Sequence, residues 1–265
     1  GVSLFLKVGG TETTSEWSEH FPECGGTSQS PVDVVTTQTR YDPGLTAVTP
    51  LGYSQHGNKP FTLYNNGHTG NYGSRLISCR NPQPHGLSVC PALRGNPETR
   101  TGSLHVVHYN SELYPNLSAA MAQRDGLAVL GILIETNQAF NSILNYLSRI
   151  RHADQKVFIP AFDVQSLLPK DLGRYYRYNG SLTTPPCYQS VIWTLFHERV
   201  QISKAQLLKL ETILYSSKAE EADRMLLQDN YRTTQALNHR VVFASFSAGF
   251  AKIQTLTPLL SQESN

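Results

Sequence analysis

The sequence predicts a single mixed α+β domain, residues 1–265, built around a large β-sheet. Three observations support this prediction. Strand patterns outnumber helical ones. The chain has 265 residues, of which 39% are apolar, enough for the core of one domain. No repeat, heptad pattern or Gly/Ser linker divides the chain.

Short β-branched or aromatic runs bounded by turn residues predict the strands. They are Val106–Tyr109, Leu127–Ile134, Ser190–Phe196 and Arg240–Phe246. Two segments have helical periodicity. Ala139–Ile150 places Phe140, Ile143, Leu144 and Leu147 on one face, and Lys204–Tyr215 follows Ser203 as a plausible N-cap.

Charge and hydropathy exclude several classes of protein. The formal net charge of +2 provides no general attraction to nucleic acid or acidic lipid. The longest apolar run, Leu127–Ile134, is too short to cross a bilayer, and the first six residues have no signal-peptide pattern. We therefore expect no nucleic-acid partner and no membrane contact by this chain itself.

The segment Gly70–Ser103 differs from the rest of the chain. It holds nine glycines and prolines, four arginines and few β-branched residues. That density of breakers predicts neither helix nor strand. A structureless stretch of this length is unusual in a compact domain, so it is a functional loop, a disordered insert or sequence foreign to the fold.

Three segments carry candidate chemistry. Asn179–Cys187 places Thr183 and Thr184 before two prolines, His105 lies on a predicted strand, and His68 follows a turn. Taken singly, each has an ordinary interpretation: a stiffened surface loop, a hydrogen-bonded core histidine and an exposed turn histidine.

The four cysteines and two glycosylation sequons are weak signals on their own. Cys24, Cys79, Cys90 and Cys187 include no Cys-x-x-Cys pair, which argues against a zinc ribbon. The sequons Asn116-Leu-Ser and Asn179-Gly-Ser are typical of secreted glycoproteins but arise often by chance.

Together, these segments resemble the α-carbonic anhydrases. The shared motifs occur in the family's order: Gln29–Asp33 (QSPVD), Asn65–His68 (NNGH), Leu104–Tyr109 (LHVVHY), Gly126–Gly131 (GLAVLG), Tyr178–Pro186 (YNGSLTTPP) and Asn230–Arg232 (NYR). The resemblance covers about residues 17–69 and 104–247. It implies a large, twisted, mainly antiparallel β-sheet with peripheral helices and a conical cavity that holds zinc.

The resemblance also implies residue roles. In the family, zinc held by three imidazoles lowers the pKa of bound water to about 7, and the resulting hydroxide reversibly hydrates carbon dioxide to bicarbonate. His105 would be the third zinc ligand, Thr183 would orient the hydroxide, and His68 would pass the released proton to buffer. The substrate pocket would comprise Val107, Val129, Leu182, Thr184, Val191 and Trp193, with Thr184 at its entrance. Cys24 and Cys187 look like the disulfide of extracellular and membrane-anchored members.

This sequence departs from the family at the metal site. The first two zinc ligands of the family form a His-x-His pair between the His68 and His105 motifs, and no such pair occurs anywhere in this chain. Ser103 replaces an acidic or amide residue, and Glu98 is the single carboxylate between His68 and His105. Cys79, His85 and Cys90 are competent zinc ligands, but their spacings match no strand or helix face. Cys79 and Cys90 would otherwise pair with each other or stay free.

Three interpretations follow. The chain is a zinc carbonic anhydrase acting on carbon dioxide and bicarbonate, an acatalytic binding module of the same family, or the product of alternative splicing or a gene-model error. The missing ligand pair predicts weak or absent activity and doubtful zinc binding. If central strands are missing, we expect exposed sheet edges, an unfilled core and reduced stability. The Cys24–Cys187 pair predicts an extracellular or cell-surface location, with any membrane tail lying after Asn265 in a longer precursor.

Overall fold

A computed structural model of the chain describes residues 14–54, 60–67, 70–73, 86–90, 102–134, 140–200, 203–227 and 232–247. Within these ranges the dominant element is one ten-stranded sheet in the order β1-β10-β8-β9-β6-β5-β4-β3-β2-β7. The strands are β1 Arg40–Tyr41, β2 Phe61–Asn65, β3 Gly70–Gly73, β4 Gly86–Cys90, β5 Gly102–Tyr109, β6 Leu127–Ile134, β7 Lys156–Ile159, β8 Tyr175–Gly180, β9 Val191–Phe196 and β10 Phe243–Ala244.

Most strand pairs are antiparallel. The exceptions are β1 with β10 and β6 with β9, which pair in parallel. The mainly antiparallel sheet with few helices confirms the predicted fold class. The prediction for β6 has the observed bounds, whereas β5 begins earlier and the predicted strand Arg240–Phe246 shortens to two residues.

The helices are short. They are α1 Thr14–His20, α2 Leu117–Ala120, α3 Asn141–Leu144 and α4 Lys204–Ile213, with 3-10 turns at Pro22–Gly25, Thr36–Gln38, Leu147–Arg149 and Val164–Leu167. The predicted helix Ala139–Ile150 is instead α3 followed by a 3-10 turn, because the Tyr146 amide bonds to the Ile143 carbonyl three residues back. Its four predicted apolar positions are all buried.

The predicted N-cap of α4 is confirmed. The Ser203 hydroxyl accepts from the Gln206 amide at 3.1 Å, and the Gln206 side chain accepts from the Ser203 amide at 2.9 Å. This reciprocal capping box satisfies two amides at the start of the helix. The Gln206 side chain also donates to Asn141 Oδ1 at 2.8 Å, which ties α4 to α3.

The prediction that Gly70–Ser103 forms no strand was wrong in two places. Strands β3 and β4 lie inside this segment, and they pair with each other and with β2 and β5. Hydrogen bonding to the neighbouring strands therefore overrides the local breakers. The described strands leave no gap beside β5, because all five residues of β4 pair with it, from Gly86 opposite Val107 to Cys90 opposite Ser103. Residues 74–85 and 91–101 lie outside the described ranges.

The two faces of the sheet bury two apolar clusters, because successive side chains of a strand point to opposite faces. On β5, Leu104 and Val106 join the first cluster together with the buried positions of the α3 segment. Val107 and Tyr109 join the second cluster with residues of β6, β8 and β9. His105 has the parity of Val107 and lies on the face of the second cluster. None of the described helices is long and apolar enough to span a membrane.

Candidate active site

The candidate site lies on the second-cluster face of the sheet, around His105. In the β-ladder His105 is opposite Ser88 of β4 and Gly131 of β6. Its ring meets Trp193 edge to face, with centroids 5.0 Å apart. Burial lowers the pKa of His105 to about 4, so its imidazole is neutral at physiological pH. Neutral imidazole is the form that binds a metal ion.

Gly131 leaves the space that this packing requires. A Cβ at Gly131 would lie 2.6 Å from the side chain of Leu195 and 3.6 Å from the ring of Trp193. The first distance is shorter than ordinary van der Waals contact. The absence of a side chain at Gly131 therefore lets Leu195 and Trp193 of β9 pack against β6 beside His105.

Thr183 lies in the turn between β8 and β9, which is fixed by backbone hydrogen bonds. The Leu182 amide donates to the Tyr188 carbonyl at 3.0 Å, and the Cys187 amide donates to the Thr184 carbonyl at 2.8 Å. The Pro185–Pro186 bond is cis. The Trp193 indole N–H donates to the Ser181 carbonyl at 3.0 Å. Ser181, two residues before Thr183, is therefore bonded to strand β9.

His105, Thr183 and Trp193 line one cavity of about 900 Å³. Its other walls include Ser103, Gly131 and a group of aromatic and basic residues. That group comprises Tyr176, His197 and Arg199, none of which sequence reasoning singled out. The structure thus brings three of the predicted site residues to one concave surface.

The remaining predicted pocket residues lie beside this cavity in packed surroundings. Val107, Val129, Leu182 and Val191 belong to the second apolar cluster, each at most 4% exposed. The register explains their grouping, since Val107 is opposite Val129 and Val129 is opposite Trp193. Thr184 is buried in the turn. Their role as substrate-pocket walls stays a prediction.

His68 lies outside the described residues, but the turn that leads to it is well defined. Asn65 is fully buried, and its side-chain nitrogen, Nδ2, donates to the carbonyls of Ile150 and Tyr215, each at 3.0 Å. Its Oδ1 accepts from the Gly67 amide at 2.9 Å. Gly67 has φ +77°, a conformation that disfavours side chains. The Asn-Asn-Gly pattern is therefore a fixed turn, as its composition indicated.

A hydrogen-bond network that the sequence analysis did not predict anchors the start of the Thr183 turn. The Ser30 amide donates to Ser181 Oγ at 2.9 Å, and the Ser181 amide donates to Ser30 Oγ at 3.0 Å. Burial raises the pKa of Tyr178, whose hydroxyl is 3.2 Å from Ser30 Oγ, to about 12. The motifs that contain these residues were visible in the sequence, but their pairing was not.

Arg232 crosslinks the same region. Arg232 is 5% exposed. Its guanidinium donates to Gln29 Oε1 at 2.7 Å, the Ser30 carbonyl at 3.1 Å and the Cys24 carbonyl at 2.9 Å. Cys24 forms a disulfide with Cys187, the pair that the family resemblance implied. The segment 24–30 is thereby fastened to both ends of the Thr183 turn.

The described donors do not fit a three-imidazole zinc centre. Strand β4, which flanks His105, has the sequence Gly-Leu-Ser-Val-Cys and carries no histidine. In the part of the chain that the structure describes, no three His, Cys, Asp or Glu side chains are placed to hold a metal ion. Cys79 and His85 fall outside that part, and Cys90 pairs with Ser103 in the ladder.

Comparison with known proteins identifies the scaffold. The family model for eukaryotic-type carbonic anhydrase matches residues 12–83 and 96–246. The family model thus extends into both ends of the segment Gly70–Ser103, which the sequence analysis treated as departing from the family, and leaves residues 84–95 unmatched. Human carbonic anhydrase 12 is 38% identical over 255 residues, covering 90% of this chain and 72% of the relative.

Two further relatives agree. Bovine (Bos taurus) carbonic anhydrase 6 is 36% identical over 278 residues, covering 92% of this chain and 84% of the relative. Mouse (Mus musculus) carbonic anhydrase 7 is 32% identical over 255 residues, covering 88% of this chain and 94% of the relative. Matches of this length, on a sheet that carries the family motifs at its candidate site, show that the chain belongs to the eukaryotic-type carbonic anhydrase family.

Proposed function

We propose that this chain is a carbonic anhydrase family domain with weak or no carbon dioxide hydration, which acts through binding. One observation carries the proposal: strand β4, which pairs with the strand of His105, places Ser88 opposite His105 and contains no histidine. A zinc centre needs its full set of correctly placed ligands. His105 supplies one imidazole, and the chain contains no His-x-His pair to supply the other two.

The retained scaffold supports a binding role. The Thr183 turn keeps its disulfide, its Ser30–Ser181 hydrogen bonds and the Arg232 crosslink. These contacts hold the turn whose Thr183 lines the cavity of about 900 Å³, a volume within the range of small-molecule sites. If the domain retains hydration activity, its substrates are carbon dioxide and bicarbonate.

We place the domain in an extracellular or cell-surface setting. The Cys24–Cys187 disulfide persists in oxidising compartments and is reduced in a mesophilic cytosol. Alkylation of protein from its natural source tests this location. We expect these two cysteines to be protected before reduction and reactive after it, and free thiols at both positions would contradict the placement.

The first experiment is the zinc content of purified, folded protein, followed by stopped-flow carbon dioxide hydration. His105→Ala is the matched control, because it removes the one imidazole that the resemblance assigns to the metal. We expect little zinc, little or no hydration, and no difference between the wild type and His105→Ala.

About one zinc per chain, with hydration lost in His105→Ala, would refute the proposal. In that case Cys79, His85 or Cys90 would have to complete the site. Little zinc in a cooperatively unfolding protein supports the binding module. Little zinc in a chain that only aggregates would instead indicate a broken gene product, and would overturn a binding role.

A further inference from the structure

The two sequons of the chain are in different structural settings. Asn116 lies in the loop between β5 and β6, and both Asn116 and Ser118 are exposed. The base of this loop is closed by a hydrogen bond from the Asn110 amide to the Gly126 carbonyl at 2.8 Å. The intervening Leu117 is 6% exposed and packs in the second apolar cluster. The sequon therefore has two polar side chains at the surface on a locally anchored turn.

The Asn116 side chain is also held in a favourable orientation. Asn116 is the N-cap of α2, and its Oδ1 accepts from the Ala119 amide at 2.8 Å. A glycan is attached to the side-chain nitrogen, Nδ2, so the capping oxygen is not consumed. The folded loop can accordingly carry the modification without losing this hydrogen bond.

In the second sequon the Asn179 side chain stays exposed on folding, but the sequon hydroxyl becomes inaccessible. The Asn179 backbone pairs with Ile192 in the β8–β9 ladder. Ser181 is fully buried, where its Oγ accepts from the Ser30 amide at 2.9 Å and donates to the Leu182 carbonyl at 2.8 Å. A glycosyltransferase must engage the sequon hydroxyl, and this one is withdrawn once β8 and the turn are formed.

We propose that Asn116 is an N-glycosylation site of this protein and that Asn179 is left unmodified. The donor is an oligosaccharide linked through a pyrophosphate to a lipid. The Asn116 Nδ2 forms a bond to the C1 atom of the first sugar as the bond from C1 to the pyrophosphate oxygen breaks. The pyrophosphate takes that electron pair, and Nδ2 loses one proton, so the step involves no oxidation or reduction. The disulfide Cys24–Cys187 agrees with passage through an oxidising secretory compartment, where this transfer takes place.

The test is secretion of the full chain from mammalian cells, followed by digestion with an amidase that removes N-glycans. Ser118→Ala removes the sequon but keeps the Asn116 cap, and Asn116→Asp keeps a capping oxygen but lacks the acceptor nitrogen. Asn179→Gln is the matched control at the other sequon. Peptide mapping after digestion locates any asparagine converted to aspartate.

We expect one mobility shift on digestion of the wild type and of Asn179→Gln, and its complete loss in Ser118→Ala and Asn116→Asp. Conversion of Asn116, and not Asn179, to aspartate would support the proposal directly. An unshifted secreted wild type, a shift that persists in Ser118→Ala, or conversion at Asn179 would overturn it. The inference rests on the extracellular or cell-surface setting proposed above. Zinc content and hydration do not enter these readouts, so the result is independent of the proposed loss of hydration activity.

Discussion

Removal of the Cys24–Cys187 disulfide is expected to cause a large loss of stability. The bond joins residues separated by 163 positions, more than half of the chain. In the chain-entropy model, a loop of this length restricts the unfolded state by about 17 cal/mol/K, or about 5 kcal/mol at 25 °C. Both cysteines are buried, at 3% and 0% exposure, so alanine replacement adds a small packing loss.

The assay is equilibrium unfolding in urea of the wild type and of Cys24→Ala/Cys187→Ala. We expect the unfolding free energy of the variant to fall by about 5 kcal/mol, with a steeper denaturant dependence because its unfolded chain is more expanded. A reducing agent should destabilise the wild type by a similar amount and leave the variant unchanged. A loss below about 1 kcal/mol, or equal sensitivity of the variant to reduction, would refute the loop-closure reasoning.

Three further predictions concern the framework. Arg232→Ala withdraws a charged donor from three buried oxygens and should lower the unfolding free energy, measured by urea titration, by at least about 3 kcal/mol. The loss should be smaller in Arg232→Lys, and equal losses in the two variants would contradict the role of the planar guanidinium. Ser203→Ala removes the N-cap of α4 and should cost about 1 kcal/mol, against little change expected for Ser203→Asp, which keeps a capping oxygen. Because burial raises the pKa of Tyr178 from 10.0 to about 12, the unfolded state releases this proton first, and stability should fall by up to about 3 kcal/mol from pH 10 to 12. Unfolding free energies measured across that range should fall less steeply in Tyr178→Phe, and an unchanged slope would assign the loss to other groups.

Elements with strong local signals were predictable from the sequence. Strand β6 is an apolar run with only Gly131 inside it and has its predicted bounds, and α4 begins directly after its predicted cap, Ser203. The family motifs also identified the turn that carries Thr183 and the strand that carries His105. Local propensity and short motifs were sufficient in these cases because the predictive pattern lies within a short window of the sequence.

Elements that depend on pairing with other strands, or on contacts between distant residues, were not predictable in this way. Strands β3 and β4 form in a segment rich in glycine and proline because β2 and β5 provide hydrogen-bonding partners on either side. The crosslink from Arg232 to Gln29 joins residues about 200 positions apart, which no window of sequence contains. Local patterns are weak where the stabilising contact is remote.

By itself, the sequence determined the fold class, the family motifs and the lack of a His-x-His pair, because each of these is a property of residue types at short spacing. Only the tertiary structure decided that Ser88 is the neighbour of His105, that His105, Thr183 and Trp193 line one cavity, and that Ser118 stays exposed while Ser181 is buried. The physical reason is that strand register and side-chain burial are set by chain segments far apart in sequence, which meet only when the sheet assembles.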